Sequence, residues 1–174
     1  VCWCWRELPG PVIAVLHGYC YGGGMQIALA ADFRMATPDC EMSIMEIKWG
    51  LIPDMTGTVT LRELVPMDVA KELTMTGRLF NGDEAKAMNL VTRVSATPLE
   101  EAEKLAEAIK TRSPDGISAG KALFQQTWTV PEAQAFDIES KLQFKLMRGK
   151  NYRRALQAGQ KKEAPTFLPR ERDY

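Results

Sequence analysis

The tightest constraint on this chain is the run His17-Gly18-Tyr19-Cys20-Tyr21-Gly22-Gly23-Gly24-Met25-Gln26. It follows an apolar, strand-like segment, Pro11-Val12-Ile13-Ala14-Val15-Leu16, and leads into a short apolar helix pattern at 27–31. Successive glycines remove every Cβ from the turn, so a ligand can approach the main chain closely. A helix start leaves backbone N–H groups without intrahelical acceptors and favours negative charge. Such a turn can hold a phosphate or an oxyanion that forms during a reaction. It can equally be a tight turn with close helix–strand packing. The phosphate-loop patterns are absent, because no Lys follows and the glycine spacing does not match GxGxxG.

Composition narrows the classes. The chain has 174 residues, enough for a domain with a real core. Formal net charge is zero, with no basic block, so nucleic-acid binding has no electrostatic support. No apolar run approaches the length of a membrane span. The four cysteines, Cys2, Cys4, Cys20 and Cys40, match no zinc spacing and mark no disulfide framework. Reduced thiols and a cytoplasmic setting are expected, with no metal. The single histidine, His17, makes Ser-His-Asp or Cys-His catalysis unattractive.

The pattern along the chain predicts strands at 11–16, 33–36 and 42–45, and a brief one at 90–94. Helices are expected at 59–65, 69–76, 83–88, 99–111, from Ser113-Pro114 onward, at 133–147 and at 152–161. The tail after Glu163 reads as loose. Strands first and helices later fit α/β layering with a helical extension. Trp3, Trp5 and Leu8 read as the apolar side of a helix already in progress.

A second feature is acidic. Glu46 closes the segment Ser43-Ile44-Met45, and Asp54 follows eight residues later in the turn Gly50-Leu51-Ile52-Pro53-Asp54-Met55. Carboxylates at the two ends of a short apolar loop can face one cavity and transfer protons. They can also be a strand end and a helix-capping residue. Gln26, three positions after Gly23, sits one turn into the helix, either on the face of the glycines or as an ordinary solvated side chain.

These residues resemble the crotonase (enoyl-CoA hydratase/isomerase) superfamily. The matching residues are the run from Pro11 through Gly22-Gly23-Gly24 to Asp32, then Ser43-Ile44-Met45-Glu46 with Gly50-Leu51-Ile52-Pro53. Leu73-Thr74-Met75-Thr76-Gly77-Arg78 and Glu84-Ala85 through Leu90-Val91 complete the series. The resemblance implies a spiral of ββα turns followed by a helical region used in trimer assembly. The implied division is a partial core over 1–112 and a helical assembly region over 113–174. It implies acyl-CoA thioester substrates, no cofactor beyond the CoA they carry, and a homotrimer or dimer of trimers. Exposed aromatics at Trp128, Phe136, Phe144 and Tyr152 would serve that assembly, or fold back on their own core.

The resemblance also assigns roles. Gly23 matches one of two backbone amides that form the oxyanion hole, with Gly22 and Tyr19 as neighbouring substrate-binding positions. Oriented donors of this kind are worth about 3–4 kcal/mol each. In hydratases two glutamates handle a water, at positions matching Gln26 and Glu46. In the dienoyl-CoA isomerase branch an acidic pair matches Glu46 and Asp54, and the position of Gln26 is acidic as well. Glutamine cannot act as a base, though it can orient a water or substrate, so the resemblance favours double-bond isomerisation with Glu46 and Asp54 as a proton shuttle. Hydration of a 2-enoyl-CoA by Glu46, with Gln26 as a helper, is the alternative. The family's N-terminal third, with the other oxyanion amide and much of the CoA pocket, is not matched. A fragment of a longer protein, or a truncated non-catalytic assembly module, is the corresponding expectation.

Overall fold

The computed structural model describes residues 1–171. The chain separates into two compact units, one made of residues 1–8 and 12–103, the other of residues 9–11 and the chain from Lys104 onward. The boundary falls inside the helix Pro98–Lys110.

In the first unit, helix α1 (Cys2–Glu7) precedes strands β1 (Ile13–Leu16) and β2 (Tyr19–Tyr21). Helix α2 (Gly23–Leu29), β3 (Phe33–Ala36) and β4 (Glu41–Ser43) follow, then a 3₁₀ turn at Glu46–Trp49. Helices α3 (Gly57–Leu64), α4 (Met67–Thr76) and α5 (Gly82–Ala87) lead to β5 (Arg93–Val94) and α6 (Pro98–Lys110). The order β1-β3-β5 forms a three-stranded parallel sheet, and β2-β4 a two-stranded parallel one. Parallel neighbours need crossovers. The segment carrying β2 and α2 is the crossover from β1 to β3, so the glycine turn is a sheet connection as well as a helix start. Strand β2 has no counterpart in the sequence pattern. It lies inside the glycine-flanked run, where Tyr19-Cys20-Tyr21 is too short to show alternation.

The core is sulfur-rich. Met25, Met42, Ile44, Leu73, Leu90 and Val91 are buried with Cys20 and Cys40. Burial pushes the Cys20 thiol up to about 11, with Cys40 adding to the shift. Arg34 crosses this layer from β3. Its guanidinium donates to Leu29 O, Ala31 O and Leu90 O, so one buried cation ties the end of α2 to the segment before β5. Burial pulls its pKa down to about 10 against the pull of Asp32. Asn81 starts α5 with a reciprocal capping box to Glu84. In α1 the expected apolar face is reversed: Cys2 is the buried residue, and Trp3, Trp5 and Leu8 are exposed. Arg6 also fastens this helix, through a two-pronged ion pair with Glu63 on α3.

The second unit holds α7 (Pro114–Thr127), α8 (Glu132–Met147) and α9 (Lys150–Lys161). Ser113 caps α7 by accepting from Gly116 N–H, and Pro114 supplies the first-turn proline. The tail is not loose as its composition suggests. Asn151, fully buried, donates to Asp115 and to Leu168 O and accepts from Leu168 N–H. Asp115 also accepts from Glu171 N–H. Phe124, Trp128, Phe136 and Phe144 are exposed on this unit. Among the described residues no helix is long and apolar enough to cross a membrane, and no cluster of ligating side chains could hold a metal.

Candidate functional site

The site is assembled where α2 begins. Gly22 caps the helix at φ 49°, ψ −120°, a conformation open essentially to glycine alone. Its N–H donates to Ser43 O at 2.9 Å, which fastens the helix entry to the end of β4. Gln26 N–H then closes the first turn on Gly22 O at 3.0 Å. Helix geometry leaves the Gly23 and Gly24 amides without an acceptor inside α2. Gly23 is half-buried and Gly24 exposed.

Glu46 arrives from the other side. The chain leaves β4 through buried Ile44, and Glu46 opens the 3₁₀ turn, which Gly50 ends in the left-handed region. Glu46 is thus the first residue of a turn rather than the end of a strand. Gln26 is buried, not solvated, and its Nε2–H donates to Glu46 Oε1 at 2.6 Å. Met55 N–H donates to Gln26 Oε1 at 2.7 Å. An N–H can meet only the oxygen of the amide, so Met55 fixes which end of Gln26 faces Glu46. The result is a short relay from the 53–57 loop through Gln26 to one oxygen of the carboxylate. The other oxygen, Glu46 Oε2, is buried with no hydrogen-bond partner.

Close packing surrounds the relay. A Cβ on Gly22 would lie 3.6 Å from Glu46 Oε1, and one on Gly23 3.3 Å from Met55 Sδ. At Gly57 a Cβ would meet Pro53 at 2.9 Å and Gln26 Oε1 at 3.0 Å, so the loop can approach Gln26 only with glycine there. Thr56, between Met55 and Gly57, adopts φ 68°, which a β-branched residue rarely does. Its hydroxyl is buried and unpartnered.

The structure therefore joins Gly22, Gly23, Gln26 and Glu46. Asp54 belongs to the same loop as Met55, but its side chain is exposed and makes no hydrogen bond or ion pair among the described residues. Tyr19 is 77% exposed on β2 and stacks at an angle against Tyr21. His17 is exposed. Met55 and Thr56 escaped sequence reasoning. Met55 acts through its backbone N–H, which no side-chain pattern reports, and nothing in a threonine announces a left-handed backbone.

Residues 5–169 match the family model of enoyl-CoA hydratase/isomerase, and the chain belongs to that family. Carnitinyl-CoA dehydratase of Shigella flexneri is 34% identical over 132 residues, 75% of this chain and 51% of that protein. The chain thus spans about half the length of the curated relatives it matches. The crystal structure of enoyl-CoA hydratase from Bacillus anthracis superposes with a TM-score of 0.91 at 30% identity, over 95% of this chain and 65% of that one. An enoyl-CoA hydratase from Polaromonas sp. JS666 gives 0.89 at 26% identity, over 96% and 66%. The mixed α/β fold with few parallel strands is shared with these structures.

Proposed function

We propose that this chain carries the acid–base side of an acyl-CoA thioester site, with Glu46 as the proton-transfer group and hydration or dehydration as its reaction. The observation that carries the proposal is the buried, unpartnered Glu46 Oε2 beside an Oε1 already held by Gln26. A buried acceptor without a partner calls for one, and a bound water or substrate supplies it. In the elimination direction, Glu46 Oε2 takes the Cα proton of a 3-hydroxyacyl thioester. The thioester oxygen gains charge, which the Gly23 N–H meets. The double bond forms as the Cβ–O bond breaks, and Glu46 returns the proton to the departing hydroxyl, which leaves as water. Addition is the reverse. Gln26 donates its Nε2–H and so positions the carboxylate without exchanging protons. No cofactor is needed beyond the CoA carried by the substrate. Gly22 and Tyr19 border the acyl group in this reading, and the exposed aromatics of α7 and α8 serve assembly into a trimer.

Double-bond isomerisation is the second reading, favoured by the placement of Asp54 next to Met55, whose amide holds Gln26. There Glu46 would remove a proton from one carbon and Asp54 would deliver one further along the chain. Assays of the full-length protein with a 2-enoyl-CoA and a 3,5-dienoyl-CoA separate the two. Water addition that survives Asp54→Asn and is lost in Glu46→Gln supports hydration. Conversion of the dienoyl substrate alone, lost in Asp54→Asn, overturns it in favour of the shuttle. Inactivity on both overturns both.

A further inference from the structure

A groove of about 700 Å³ runs between α3 and α4, and its walls combine an apolar floor with cations. Pro53, Leu61, Val65 and Ala70 supply the floor, and Arg62 and Lys71 the charge. Both cations lack an ion pair among the described residues. The neighbouring acids are already engaged, Glu63 with Arg6 and Glu72 with Arg78. Asp68, one turn before Lys71, makes no ion pair with it. Arg62 and Lys71 thus face the groove without a direct ion pair, and the nearest unengaged carboxylates are the exposed Asp54 and Asp68.

The groove adjoins the relay. Pro53 lines it and also packs against Gly57, the glycine on which a Cβ would touch Gln26 Oε1. Arg62 lies five residues further along α3, about 8 Å of helix rise from Gly57. We infer that the groove holds the distal part of the acyl group, and that Arg62 and Lys71 select a chain ending in a carboxylate. The apolar floor accepts the methylenes, and a terminal carboxylate meets two cations that the fold leaves unpaired. An acyl group ending in a quaternary ammonium would meet like charge, and one ending in methyl would gain nothing from the cations.

The inference rests on the acyl-thioester reading, and a binding experiment keeps the two separable. Saturated CoA thioesters of equal length, ending in carboxylate, methyl or trimethylammonium, are titrated into the full-length protein by calorimetry. The expected order is carboxylate, methyl, trimethylammonium, with the first about tenfold or more tighter than the second. In R62Q and in K71Q, checked for folding by thermal melting, that preference shrinks toward unity. Equal affinities, or a preference that survives both substitutions, overturn the inference. Should the preference hold while no enoyl thioester turns over, the reaction falls and the groove stands. Turnover without any preference has the opposite meaning.

Discussion

The Asp115–Asn151 cluster of the helical unit uses its polar atoms on the chain itself, whereas the Gln26–Glu46 cluster leaves one over. Asp115 has both oxygens bonded, to Asn151 Nδ2 and Glu171 N–H, and Asn151 employs both ends of its amide. In the Gln26 relay the amide is equally well used, yet Glu46 Oε2 and the hydroxyl of Thr56 remain buried without partners. A satisfied buried network holds a segment in place. An unsatisfied one costs stability, and persists where a ligand completes it. The two clusters are similar in chemistry, and the difference between them lies in what is left unbonded.

Substitutions can break that contrast. Glu46→Gln keeps the shape and removes the carboxylate proposed to carry the proton, and turnover is expected to fall by about 10³-fold, within the usual span of general acid–base effects. The thermal midpoint should barely move. A loss of less than tenfold would put the open oxygen outside the chemistry. Asn151→Ala strips Asp115 and both polar groups of Leu168 of a partner at once. Equilibrium unfolding in urea should show a loss of about 2–4 kcal/mol, and the tail after Glu163 should become open to proteolysis.

Gly22→Ala tests the geometry between these extremes. It forces a side chain into a conformation reserved for glycine and should cost about 1–3 kcal/mol in unfolding. Turnover should fall as well, because the Gly23 amide moves with the cap. Unchanged activity would separate the helix entry from catalysis. The smallest effect is expected at Thr56. Glycine there relieves the left-handed strain and removes the unpartnered hydroxyl, against a larger loss of chain entropy. A net gain of about 1 kcal/mol in unfolding is the expected result. A loss instead would show that the hydroxyl has a bonding role in the folded state.

Much of the architecture could be read from pattern. The strand at 33–36 and the helices α3 to α9 fall within a few residues of where periodicity and capping signals place them, because amphipathic faces, Asn81 with Glu84, and Ser113-Pro114 are local properties. Strand β2 was invisible because three residues cannot show a period. The face of α1 came out reversed because Arg6 with Glu63, and the small Cys2, decide its packing. At the site, Gly22, Gly23 and Glu46 stood out by residue type and flank. Gln26 also stood out, but its burial did not, since a glutamine one turn into a helix is as often solvated as buried.

Local pattern along the chain carries the family, the helices from α3 to α9, and the glycine turn that frees amides at the start of α2. Each of these follows from residues near one another along the chain. Folding in three dimensions is what lets Met55, from a loop twenty-nine residues after Gln26, fix the orientation of its amide. It likewise decided that Glu46 is held by one oxygen and left open at the other, and that Arg62 and Lys71 share a groove. The physical reason is the same in each case. A hydrogen bond or an unpaired charge depends on which distant groups burial brings within reach, and no local pattern encodes that distance.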